Sequence, residues 1–325
     1  MFVLGFIDGG YVPGVATPAV VPVYGYFAGG NSGAIVNTTD RITFSTGATA
    51  ANTASNLSTN RRGPAGVSDK VTYGYFAGGS TTTGSASVVT ADRITFSTGA
   101  TAANATSNLS QARYTAAGLS DGVTYGYFGG GYTGGQVVTA DRITFSSGTT
   151  AANTASNLSV ARDNLAALSD GVTYGYFLGG QTGATAAGTN GDRIVFSTGV
   201  TSSNTASNLS SVRESTAAVS DSTTYGYITG GATSNTQTPL ALTDRILYSS
   251  GVTSAATTSN LVTARNQHVG VGDGVTYGYI AGGNTGAMIA TAERIVFSTG
   301  VFSANTVSNL SVARTLIASL CDYDV

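Results

Sequence analysis

Tryptophan is missing altogether, and lysine, cysteine and histidine occur once each, at Lys70, Cys321 and His268. One cysteine excludes an intrachain disulfide and any cysteine-based metal site. One histidine, with no Asp-x-Asp cluster nearby, leaves no ligand set for a transition metal or for Ca²⁺. No metal and no cofactor are therefore expected. Charged residues make up 9% of the chain, against roughly 25% in ordinary soluble domains. With a net charge of −2 and a lone lysine, the chain lacks the clustered basic surface of a nucleic-acid binder. No apolar run approaches the length of a membrane span, so no membrane insertion is expected. The start, Met1 to Phe6, has no basic region and only a short apolar run. It does not read as a secretory signal, and the expectation is synthesis in a cytoplasm.

What is present is repetition. The stretch Tyr73-Gly74-Tyr75-Phe76-Ala77-Gly78-Gly79 recurs, lightly varied, at Tyr24, Tyr125, Tyr174, Tyr225 and Tyr277, with starts 49, 52, 49, 51 and 52 residues apart. A period near fifty points to a propeller or a solenoid. Each unit carries the same landmarks. In the third, Arg113 precedes Asp121, then come Tyr125, Gly130-Gly131, Asp141-Arg142-Ile143 and Ser156-Asn157-Leu158. Most of the charge sits on such landmarks, so it belongs to the scaffold.

Each unit reads as four short strands. The first, Thr115 to Leu119, is built from small residues and ends at Ser120-Asp121-Gly122, a strong hairpin signal. The second, Val123 to Phe128, is rich in β-formers. In the third, Ile143 and Phe145 share a face by the period of two. The fourth lies somewhere in Thr149 to Leu158. Four strands per unit make an all-β propeller the economical answer, with the small-residue strand innermost, where blades converge. The whole chain, residues 1–325, is read as one such domain.

The run of an Arg, a small-residue strand, an Asp-Gly turn, an aromatic strand ending in Gly-Gly and a return to Arg resembles the kelch repeat. The resemblance covers Tyr24 to Asp322 and implies a kelch-like β-propeller. It departs in one respect: the kelch tryptophan is absent, and Leu158 and its equivalents stand in that region. The near-verbatim restatement of Asp-Arg-Ile-Thr-Phe-Ser-Thr-Gly in a Ser/Thr/Gly/Ala-rich chain also resembles repeat proteins of tailed bacteriophage particles.

The two ends bear on the blade count. Leu4 to Gly10 aligns with the Tyr-Gly-Tyr-Phe-Ala-Gly-Gly element, and Arg314 to Asp322 is a complete first strand with no second strand after it. The preferred expectation is six full four-stranded blades plus a partial seventh closed by both termini. The alternative is six blades, with the C-terminal strand completing the blade of Tyr24.

The candidates for chemistry each have a plainer reading. His268 opens a small-residue strand and reads as a packed or surface histidine rather than a catalytic base. Cys321 reads as a small apolar residue on an inner strand. The Gly pairs lack the Lys-Ser/Thr of a phosphate loop and open no helix. The Asp of each Asp-Gly reads as a turn former. The repeated Asn-Leu-Ser at Asn56, Asn108, Asn157, Asn208 and Asn309 reads as an accidental match to a glycosylation pattern. No enzymatic activity is expected.

Between the Gly pair and Asp-Arg the copies hold 9, 12, 9, 11, 12 and 9 residues, while the other spacings stay fixed. Variation therefore falls on one face, and loops on a rigid scaffold are where binding is usually carried. The candidates for partner contact are Tyr132, Gln136, Gln237, Leu240 and Met288. The expected function is a non-enzymatic structural or attachment protein of a virus particle, with other particle proteins as partners. The alternatives are a glycan-binding propeller and a cellular, cytoplasmic kelch-type scaffold.

Overall fold

The computed structural model describes residues 23–183, 186–233 and 237–322. Their strands form six four-stranded antiparallel sheets arranged as the blades of a β-propeller. The third blade shows the pattern: Ala117–Ser120 innermost, then Tyr125–Gly129, Ala140–Thr144 and, at the rim, Thr149–Ala152. Small inner residues are a steric demand. A Cβ on Gly118 would stand 2.2 Å from the carbonyl oxygen of Gly66 in the neighbouring blade. The outer strand is shorter than its sequence window, because Thr154–Ser156 turns into a single 3₁₀ turn. There Asn157 accepts the Ala140 N–H at 2.9 Å, and Leu158 is buried. The repeated Asn thus holds the start of the third strand.

Aromatic pairs join each blade to the next. Tyr75 stacks on Phe145 and Tyr127 on Phe196, both with ring centroids 6.1 Å apart. Around the axis, backbone hydrogen bonds run from blade to blade in a closed ring. Thr115 donates to Gly63, Asn164 to Thr115, Ser215 to Asn164, Gln267 to Ser215, Leu316 to Gln267 and Gly63 to Leu316, at 2.7 to 3.0 Å. Five of these residues are not glycine yet sit at φ between 52° and 56°. Such a conformation costs about 1–3 kcal/mol per residue and persists only where the surroundings over-determine it. The closed ring of bonds supplies that constraint.

Among the described residues the ring closes with six blades. The C-terminal strand Ala318–Cys321 pairs with Tyr24–Asn31, setting Cys321 opposite Gly25 and Ala318 opposite Ala28. Asp322 then accepts the N–H of Tyr24 at 2.6 Å and of Val23 at 3.2 Å. Within a continuous blade Asp121 does the same for Val123, Thr124 and Tyr125. Tyr279 packs on Phe44 across the seam, 6.0 Å between centroids. The described residues therefore make six complete blades, the arrangement held as the alternative, in place of a partial seventh. The strand element expected at Leu4 to Gly10 lies outside the described residues.

The repeated arginines are buried scaffold. Arg61, Arg113, Arg162, Arg213, Arg265 and Arg314 are fully buried. They pair with Asp92, Asp141, Asp192, Asp244, Glu293 and Asp40. Arg162 reaches Asp192 at 2.5 Å and the carbonyls of Phe177 and Gly179 at 3.1 and 3.0 Å, while its own carbonyl accepts the Gly131 N–H of the preceding blade. Burial pulls these arginines below their ordinary range, and the paired carboxylate opposes that shift. The second arginine of each Asp-Arg points the other way. Arg193 lies over the Tyr174 ring, 4.6 Å from its centroid.

Candidate functional site

The propeller has two unlike faces. One carries the Asp turns and the Ser-Thr-Gly turns and is nearly the same in every blade. The other carries the variable loops and the segments that cross from one blade to the next. On this loop face the residue directly after each buried Arg differs in every copy: Arg62, Tyr114, Asp163, Glu214, Asn266 and Thr315. Each bridges through its backbone to the residue after the Gly pair of its own blade, as Tyr114 does to Tyr132 and Glu214 to Ala232. They form a crown around the axis.

The crown is chemically lopsided. Arg62 and Tyr114 sit in adjacent blades, with the guanidinium 5.6 Å from the ring centroid. Tyr114 meets Tyr132 edge-on at 5.6 Å, and its hydroxyl lies 3.0 Å from that of Ser85. The next two blades bring Asp163 and Glu214, both buried. Among the described residues they are the only acids outside the repeated landmarks. Asp163 accepts from Asn164 at 3.1 Å, Thr115 at 3.2 Å and Gln136 at 3.4 Å. Burial nevertheless pushes its carboxyl up to about 6, and the nearby Glu214 adds to the rise. Glu214 is raised by burial as well. Gln237 donates to its Oε1, and Oε2 has no hydrogen-bond partner among the described residues. The Nδ2 of Asn266 donates to the Gln237 carbonyl at 2.9 Å, tying blades five and six.

Inside the crown lies the mouth of the axial channel, a cup of about 90 Å³. The second and third residues after each buried Arg line it. On blades five and six these are Ser215, Thr216, Gln267 and His268; on blades one and two they are Leu316, Ile317, Gly63 and Pro64. One wall is thus polar and the other apolar. Below the cup the channel continues between the Ala and Gly residues of the inner strands.

His268 is 6% exposed, and burial pushes its imidazole down to about 3, so the ring is neutral at pH 7. Its Nε2 lies 3.0 Å from the Thr229 hydroxyl, which is also within 3.4 Å of the Ala217 carbonyl. A Thr229 proton directed at that carbonyl leaves its oxygen to accept from Nε2–H. Nδ1 is then the bare acceptor, and like the Thr216 hydroxyl it has no partner among the described residues. Cys321 lies at the other end of the channel, on the inner strand, with its thiol pushed up to about 11 by burial. Among the described residues no group of three or more His, Cys, Asp or Glu side chains could hold a metal ion.

The loop residues singled out from the sequence meet the crown unevenly. Tyr132 packs on Tyr114, Gln136 reaches Asp163 and Gln237 reaches Glu214. Leu240 is a backbone staple, donating to Gly231 and accepting from Arg265. Met288 is exposed, and its backbone bridges to Asn284, which bridges in turn to the crown residue Asn266. Sequence reasoning missed the crown and the cup. Their signal was available: aligned on the buried Arg, the copies agree at that position and differ at the three that follow. No protein-family model matches the chain, and no match is found among curated proteins.

Proposed function

We propose that this protein is a non-enzymatic structural or attachment component of a virus particle, a tailed phage particle in particular, which engages other proteins through its loop face. The observation that carries the reading is the contrast within the repeat. A ring restated six times in its buried arginines, turns and aromatic pairs carries a different residue in every blade at the crown. Selection on the scaffold alone gives no reason for six different side chains at one repeated position. The likeness of the Asp-Arg-Ile-Thr-Phe-Ser-Thr-Gly restatement to repeat proteins of tailed phage particles supports the particle setting. The kelch-like landmarks support a protein partner and equally suit a cellular, cytoplasmic scaffold. Mass spectrometry of purified particles separates the two: recovery of the chain in stoichiometric amount supports the virion, and its absence from particles with recovery from cytosolic complexes supports the scaffold. Replacing Tyr114, Tyr132 and Asp163 by the residues of other blades should then abolish partner capture without unfolding the ring.

A second reading, a lectin-like propeller, is favoured by one observation. The Tyr114–Tyr132 pair beside Arg62, Ser85 and Gln136 offers aromatic surface flanked by hydrogen-bonding groups, a combination suited to sugars.

A further inference from the structure

We propose that the groove at the rim of blade three, between Arg142 and the outer strand, is a binding site for an acidic sugar, a pyranose that carries a carboxylate. The groove holds about 440 Å³ and is lined by Arg142, Thr144, Ser147, Thr149, Asn153 and a pair of alanines. That volume lies within the roughly 300–1,000 Å³ of small-molecule sites. Its walls follow from the strand register. Arg142 stands opposite Ala151 and Thr144 opposite Thr149, so by the period of two these four side chains share one face of the blade. The face is open to solvent: Thr149 is exposed, and Arg142, Thr144 and Asn153 are half-buried.

Three observations point to the ligand. The first is a cation without a carboxylate. The six ion pairs among the described residues all belong to the other arginine of each blade. The Arg142 guanidinium instead lies over the Tyr125 ring, 4.3 Å from its centroid. Beside it is the Gly199 turn of blade four, where an added Cβ would stand 3.8 Å from Nη1. No acid lines the groove, so an entering anion meets one positive charge and no like charge. The second observation is Asn153. It holds the cap position of Thr154–Ser156 without a side-chain cap bond, whereas Asn104 and Asn204 accept the N–H groups of Thr106 and Ala206 there. The third is the pair of threonines. In place of Thr149 the other blades have Ala48, Ala100, Val200, Val252 and Val301, and blades four to six replace Thr144 by Val195, Leu247 and Val296. Only blade three sets two facing hydroxyls beside its guanidinium.

The lining narrows the ligand class. One guanidinium suits one carboxylate, which it grips through two parallel N–H donors. A polyphosphate or a nucleic acid calls for several cations. A protein anchor calls for an apolar pocket, and the apolar side chains of this groove are alanines. Thr144, Thr149 and Asn153 each donate and accept, as the hydroxyls of a sugar ring do. A sugar carboxylate therefore supplies the missing partner of Arg142, and its ring hydroxyls supply those of the other three.

The site lies at the rim and does not rest on the loop-face reading. The full chain is titrated with glucuronate, galacturonate and N-acetylneuraminate, and with glucose, acetate and triglutamate as controls. NMR follows the Thr144 and Thr149 methyls and the Arg142 Nε–H. At least one acidic sugar should shift all three at millimolar concentration. It should bind about tenfold more tightly than glucose, the worth of one charge-assisted hydrogen bond, and more tightly than acetate. Thr149→Val installs the residue of blades four to six at an exposed position. It should leave the melting temperature unchanged and weaken the sugar about fivefold, the loss of one neutral hydrogen bond. Arg142→Gln should remove the preference over glucose. The proposal is overturned if no acidic sugar shifts these resonances, if acetate or triglutamate binds as tightly as the sugar, or if either variant binds it as the parent does.

Discussion

Arg61 and Arg62, Arg113 and Tyr114, Arg162 and Asp163 are neighbours in sequence and opposites in role. The first of each pair enters the space between blades, where an Asp and several backbone carbonyls await it. The second turns toward the loop face. In the first position all six copies agree; in the second none do. The difference shows where this fold tolerates change. A buried guanidinium needs one partner geometry, and six blades of equal shape provide it six times. A crown residue needs only to fit its own loop, so it is free to be selected for something else. Asp163 and Glu214 make the point most strongly, because each is buried and neither forms an ion pair among the described residues.

The comparison can be broken first at the arginine. Arg162→Ala leaves Asp192 buried and unpaired, a change that costs about 3–5 kcal/mol. Thermal unfolding should show a large drop, while partner capture by the fraction that remains folded is unchanged. An unchanged melting temperature would mean that the buried arginines do not hold the ring.

Next in size is the seam. Asp322 accepts the N–H groups of Val23 and Tyr24 across the closure and also meets the Tyr26 hydroxyl. Asp121 makes the matching turn inside a continuous chain. Hydrogen bonds to a charged group are worth about 1.5–3 kcal/mol, so Asp322→Ala should cost about 2 kcal/mol and exceed Asp121→Ala. In the latter the covalent hairpin survives the loss of its side chain. Equal costs in chemical denaturation would show that the seam is no weaker than any other blade.

Much of this was legible in the sequence. The repeat gave the four strands, their order and the small-residue interior, because sterics at the axis leave few alternatives. The Asp turn was legible because Asp-Gly between strand-like runs has one common use. The blade count was not. Leu4 to Gly10 carries the pattern of a second strand, and Arg314 to Asp322 fits beside either candidate. What decides is the pairing of Asp322 with Tyr24, a contact between residues 298 apart in sequence that no local pattern encodes. The crown escaped because its six residues share no side-chain type, and only their backbone bridges to the residue after each Gly pair gather them around the axis. The cup escaped because residues from all six blades line it.

Third in size is Asp163. Its folded pKa is raised from 3.8 to about 6, chiefly by burial. The folded state therefore holds this proton more tightly than the unfolded chain. The resulting stability is fully present below pH 3.8 and is lost as pH rises through about 6. At pH 7 Asp163→Asn should raise stability by roughly 2 kcal/mol, and below pH 4 the gain should vanish. The amide can keep Thr115 and Asn164 on its oxygen, while Gln136 turns its own carbonyl toward the new N–H₂. A variant less stable than the parent at pH 7 would mean that the carboxylate is held by more than burial opposes, and the crown would lose its clearest sign of selection against stability.

The smallest effect should come from a loop. The second blade holds twelve residues between Gly79 and Asp92, the third nine between Gly131 and Asp141. Deleting Thr82, Thr83 and Gly84 would shorten the longer loop to the length of the shorter. The deletion removes the hydrogen bond from Arg62 to the Thr83 carbonyl and that from Ser80 to the Thr82 carbonyl, each 2.8 Å. The Arg62 bond is exposed, where water replaces the lost partner. Loop-closure entropy changes little over three residues, so stability should move by no more than about 0.5 kcal/mol. Partner capture, in contrast, should respond, because this loop also places Ser85 against Tyr114. If the deletion destabilises the ring as much as Arg162→Ala does, the variable loops brace the scaffold, and the division between fixed buried arginines and a free crown fails.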